Sequence, residues 1–270
     1  MGGKKTTYEF LDVLSKKWWF LLVLFLLFFL PSYSREAVAP QDTPALVVAV
    51  LSNAFIYAVP ALFPVFKLLP IVFVLLIVLL GSRALRPFGI YSAALSFAFA
   101  VLQNMARTGR YGFAVLTGNF VLFLLVAAFW MLEAVERRNE YADEGIPWWR
   151  YWVVPFAIFA LWFPVDTETL RPDFSLSAAL LSEAGLTYCM MTPVLLSIVT
   201  LFCSSFNRPA LRVSGFIGMI VGVTNVVQWF SYPGAAWLGI LHIPLLVVSG
   251  YAFVFSFPAK KREKRNAGRP

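Results

Sequence analysis

Apolar residues in this chain fall in long unbroken runs, and the charged residues occupy the gaps between them. Residues 18–30, 68–81, 120–132 and 238–257 are runs of this kind, lacking the charged face that a helix packed on a soluble core would show. A helix needs about 20 apolar residues to cross the hydrocarbon of a bilayer. The pattern therefore predicts an all-α fold: a polytopic transmembrane helical bundle of about eight spans, with seven to nine compatible with the length. The spans are expected near residues 18–33, 62–81, 88–106, 112–132, 149–164, 187–206, 211–231 and 236–257. They form one integral membrane domain over 1–270, because the longest polar gaps, 133–147 and 165–185, are too short to enclose a core of their own.

Basic residues order these spans across the membrane, since Lys and Arg accumulate in cytoplasmic loops. With a basic cytoplasmic tail at 259–270, three further groups fall on the same side: Arg208 with Arg212, Arg137 and Arg138 with Arg150, and Arg83 with Arg86. From Arg83 onward this gives thirteen Lys and Arg residues inside against three outside, which predicts a plasma or inner cell membrane protein with a cytoplasmic C-terminus. Lys4, Lys5, Lys16 and Lys17 place the N-terminus inside too. Only one crossing then fits between residues 44 and 81, although that stretch is 38 residues long. A broken or interfacial helix over 45–59, stopped by Pro60 and Pro64, reconciles the count. Two alternatives stay open: nine spans with an outside N-terminus, or a first run that is a signal peptide with Ser32 and Ser34 before its cleavage point. The residues Met1, Gly2 and Thr6 also satisfy a myristoylation pattern, which a neighbouring span makes redundant.

Composition adds little beyond this frame. The net charge of +8 is scattered over loops and tail, so the expected partners are the lipid bilayer, its anionic headgroups and a second membrane protein, and not nucleic acid. Trp18, Trp19, Trp148, Trp149 and Trp237 lie near predicted span ends and suit interfacial anchoring. Residues 175–184 suit a short surface helix. Ser214, Gly218 and Gly222 recur every four residues, a stripe that lets two helices pack closely. Cys189 and Cys203 are about 21 Å apart if one helix carries both, too far to bond to each other. No Walker loop, HExxH or CxxC motif is present, which argues against nucleotide-driven transport by this chain; no metal site is expected and no cofactor is indicated.

Candidate chemistry comes from the depth of the uncharged polar residues. Gln103, Asn104, Arg107, Asn119, Asn225, Gln228 and His242 all fall in the outer half of their predicted spans, with Thr117, Tyr188, Cys189 and Thr192 at similar depth. The inner half holds chiefly hydroxyls, Ser197, Thr200, Ser204, Ser214 and Ser249, which can bond to their own helix. No polar path crosses the membrane, which argues against an ion or proton pump. The clustering predicts an outward polar pocket that binds a small molecule or a partner membrane subunit. The bland alternative is interhelical hydrogen bonding, worth on the order of 1 kcal/mol per pair, with His242 a satisfied core histidine. A second function class is a membrane-embedded enzyme for acyl transfer or peptide cleavage, with Cys189 as nucleophile and His242 as base. A third, Cu(I) held by Cys189, Met190, Met191 and His242, is weakened because adjacent methionines point about 100° apart on a helix.

Overall fold

The computed structural model describes residues 6–166 and 169–257 and is mostly helical. The expected tail at 259–270, and Lys4 and Lys5, lie outside the described residues. Among the described residues, five helices are long and apolar enough to cross a membrane, and a sixth candidate is a pair bent by 90°. This suggests a membrane location for the protein.

Helix α1 (Thr7–Ser15) starts at a capping box in which Thr6 and Glu9 exchange side-chain and backbone bonds. It stops at Lys16 and Lys17, and α2 (Trp18–Phe28) follows as an apolar helix of 11 residues. The chain then lays down β1 (Tyr33–Ser34) and α3 (Thr43–Ser52). The 45–59 segment breaks after α3 into two short 3-10 turns, with Pro60 opening the second. Helix α4 (Phe63–Leu80) begins with Pro64 in its first turn, where a missing N–H costs nothing. Gly81, at φ +56°, turns the chain directly into α5 (Ser82–Ala98). Arg83 and Arg86 thus sit in the first turns of α5 instead of in a connection, because a single glycine makes the corner.

A π-helical turn (Phe99–Gln103) leads to β2 (Met105–Thr108) and β3 (Gly112–Val115), which are antiparallel and pair with β1 in the order β1-β3-β2. Leu46 and Val50 of α3 pack on this small sheet against Ala106, Tyr111 and Ala114. Next come α6 (Thr117–Glu136), β4 (Glu140–Tyr141), α7 (Val153–Trp162) and the short α8 (Leu176–Leu181), capped by Ser175. The 90° bend separates α8 and its following turn from α9 (Tyr188–Phe202). Strand β5 (Cys203–Ser205) pairs with β4, and α10 (Arg208–Ser231) and α11 (Ala236–Phe255) complete the chain. The strands are too short to show as a periodicity and were not foreseen.

Two ends can be distinguished. The sheet end carries the three-stranded sheet, the starts of α6, α9 and α11 and the end of α10. The α1 end carries α1, the β4–β5 pair, the end of α6 and the start of α10. Glycines let helices touch backbone to backbone. A Cβ on Gly118 would run into the Phe28 carbonyl oxygen, and one on Gly215 would lie 2.7 Å from the Phe253 nitrogen. Gly215, Gly218 and Gly222 line the α10–α11 seam.

Buried charge locks the α1 end. Arg212 is fully buried and donates to the Asp12 carboxylate at 3.2 Å, to Ser15 Oγ at 2.6 Å and to the Ser256 carbonyl at 2.9 Å. One guanidinium thereby ties α1 to the ends of α10 and α11. Arg150 donates to the carbonyls of Thr200 and Cys203, closing the last turn of α9. Glu133 accepts from the backbone of Arg138 and Asn139, and Asn139 in turn accepts from Asn207, the N-cap of α10.

Candidate functional site

Helices α6, α9, α10 and α11 pack on one another, and each brings a polar residue to its turns at the sheet end. Asn119 is in the first turn of α6, Cys189 in the first turn of α9, Gln228 in the last turn of α10, and His242 two turns into α11. Tyr188 anchors the arrangement: its ring stacks on Phe123 of α6 at 3.9 Å between centroids and meets Phe99 edge-on at 5.9 Å. Aromatic contacts of this kind fix the start of α9 against α6 and the π turn.

The polar residues divide by whether the fold already uses them. Gln103 Oε1 accepts from the Tyr188 backbone N–H at 2.8 Å, so it caps the first turn of α9. Asn104 is fully buried and its Nδ2 donates to the Phe99 carbonyl at 2.8 Å, holding the π turn. Asn225 Nδ2 donates to Val221 one turn back on α10, as Thr224 does to Ile220. These are local or capping roles.

Others remain uncommitted. Among the described residues, the side chains of Asn119 and Gln228 make no hydrogen bond, and Gln228 is exposed. Cys189 is half-buried and packs on the apolar cluster that includes Leu238 and Leu241, on the same stretch of α11 as His242. His242 is buried, with Nδ1 2.7 Å from the Leu238 carbonyl. A carbonyl can only accept, so that nitrogen carries the proton, and in the neutral ring Nε2 keeps its lone pair. No hydrogen bond joins Cys189 to His242 among the described residues. Arg107 stands apart: it is exposed on β2 and lines a cavity of about 420 Å³ with Arg35, Thr108, Gly112 and Phe113.

Two side chains escaped the reading of the sequence. Arg35 faces the same cavity as Arg107 only because β1 pairs with β3, a contact across about 80 residues that no local pattern announces. Lys67 lies in α4 and is 2% exposed. Its Nζ donates to the carbonyls of Trp162, Ala178 and Ala179 at 3.0, 2.7 and 2.9 Å. The signal was available, since Lys67 is the sole charge in the run expected to span 62–81.

No protein-family model, curated protein or solved structure matches the chain.

Proposed function

We propose that this is a multi-pass protein of the cell membrane with about eight crossings, its C-terminus cytoplasmic and its sheet end outward. In this reading α2 and α7, too short to reach across alone at 1.5 Å per residue, cross together with the residues that flank them. The outward turns of α6, α9, α10 and α11 form a polar site that receives a partner membrane subunit, or a small molecule that carries matching polar groups. The observation that supports this most is the exposed amide of Gln228 on a helix long and apolar enough to span, with no hydrogen-bond partner among the described residues. An unpaired amide in or beside hydrocarbon is costly, and a bond across to a second helix removes that cost. Replacing Gln228 and Asn119 by Leu in the full chain tests the reading. The size of the complex extracted in mild detergent should fall to that of the single chain while thermal unfolding of the chain is unchanged. An unchanged size contradicts it.

One observation favours a second reading, a membrane-embedded enzyme for acyl transfer or peptide cleavage. The His242 tautomer leaves Nε2 free as a base on the stretch of α11 against which the half-buried Cys189 packs. In that reading Cys189 is the nucleophile, and reaction requires the ring and the thiol to come within hydrogen-bond reach.

A further inference from the structure

On the side of the bundle away from the polar residues above, α4 and α7 both pack on α9 and leave a cleft between them. Its volume is about 330 Å³, and its wall is almost wholly apolar: Pro70, Ile71 and Val74 on one side, Ala157 and Ile158 on the other, with Ile198 among the residues beneath. The cleft runs lengthwise along these helices. Toward the sheet end, Lys67 lies about one turn before Pro70, and its ammonium bridges α4 to the last residue of α7 and to α8. At the α1 end its wall includes Ile146 and Tyr151, and their chain neighbours Gly145, Pro147 and Arg150 line a second cavity, of about 680 Å³. This second cavity is polar. Among the described residues, Glu140, Asp143 and Glu144 contribute carboxylates, Asn139, Ser82 and Ser204 contribute neutral polar groups, and Arg150 is the single cation on its wall.

An apolar slot with a polar chamber adjoining one of its ends has the form of an amphiphile. We propose that the cleft holds one acyl chain of a bilayer phospholipid, and that the chamber receives its headgroup, preferentially one carrying an amine. The volume decides against a helix as occupant. A methylene group fills about the same space as a water molecule, ~30 Å³, so the slot takes on the order of ten carbons in single file. A helix is about 10–12 Å across with its side chains and cannot enter. Transfer of a chain from bilayer to slot gains little from the hydrophobic effect, because both are apolar. What retains the lipid is dispersion contact with walls that otherwise face a void, together with the charge match at the chamber. Three carboxylates against one guanidinium attract an ammonium and repel an anionic headgroup, while Arg150 offers the phosphate a positive neighbour.

Native mass spectrometry of the full chain, purified from vesicles of three parts phosphatidylethanolamine to one part phosphatidylglycerol, tests this directly. The wild-type chain should retain one phospholipid, with the amine lipid enriched over its share in the vesicle. Ile158→Trp, at the exposed lip of the cleft, and Ala157→Trp, within it, should each cut the retained fraction at least tenfold. Val78→Trp, equally lipid-facing on α4 but outside the cleft, should leave it unchanged. Asp143→Asn with Glu144→Gln should abolish the headgroup preference while keeping the lipid. No retained lipid, equal retention in the three tryptophan variants, or a mass shift equal to a second copy of the chain would each overturn the proposal. Ile158 is 56% exposed, so its variant reports on the cleft even if Ala157→Trp fails to fold.

Discussion

Lys67→Met isolates what one buried ammonium does for the fold. Trp162 is the last residue of α7, and Ala178 and Ala179 belong to the final four residues of the six-residue α8, so all three carbonyls lack a partner within their own helix. Lys67 caps two helix C-termini at once, where the helix dipoles favour a cation. Three bonds at the ~0.6 kcal/mol average for neutral interhelical pairs in membranes set a floor of about 2 kcal/mol. At about 1.5 kcal/mol each, the low end for bonds to a charged group, they contribute about 4–5 kcal/mol. Methionine has a similar shape and avoids burying a charge, but it leaves three carbonyls unpaired in an apolar surround. The expected loss is therefore about 3 kcal/mol, which corresponds to a fall in Tm of roughly 6–12 °C in detergent for a chain of this size. Chymotrypsin cleavage after the exposed Phe174, in the connection between α7 and α8, should accelerate, because α8 loses its tether. A Tm within 2 °C of wild type with unchanged cleavage would show that desolvating the ammonium cancels its bonds.

The remaining predictions concern the opposite end and the helix seams. Arg212→Ala should cost about 3–5 kcal/mol, since it leaves the Ser256 carbonyl without its donor and Asp12 with Lys16 alone; Asp12→Asn should cost less, because Arg212 keeps Ser15 and Ser256. Denaturant titration followed by proteolysis of residues 6–17 separates the two. Gly215→Ala should destabilise by about 1–3 kcal/mol, as its Cβ would meet backbone and not a movable side chain, and thermal unfolding reads this. Burial pushes the Cys203 thiol up to about 12, with the Glu133 carboxylate adding to the shift and Arg150 opposing it. The thiol is therefore neutral at pH 7–9, and its alkylation rate should stay far below that of free cysteine there and keep rising as pH approaches 12. A rate that levels off near pH 9 refutes the buried environment.

What the sequence revealed, and what it hid, follows from the range of each interaction. The apolar runs that became α4, α6, α10 and α11 were legible because a span is a local property of about 20 residues. The break before α4 was legible from Pro60 and Pro64 for the same reason. The sheet at one end was not, because strands of two to four residues leave no period and β1 finds β3 across the whole of α3, α4 and α5. Arg212 looked like a loop cation, yet its partner Asp12 is 200 positions away in α1. The structure places Asn119, Cys189, Gln228 and His242 at one end of one helix cluster. Depth alone could not tell which amides the backbone consumes. Gln103, Asn104 and Asn225 looked equivalent to Asn119 and Gln228 until their carbonyl and N–H partners were known.

Labelling of Cys189 in intact cells with a membrane-impermeant maleimide, on the full chain carrying Cys203→Ala, tests the proposed outward polar site most directly. The proposal predicts modification without permeabilising the membrane, because Cys189 is half-buried in the first turn of α9 at the end assigned to the outside. A rate that drops when His242→Ala is added favours the enzyme, and an equal rate favours binding. Modification only after permeabilisation, or an inert thiol throughout, would contradict an open site facing outward.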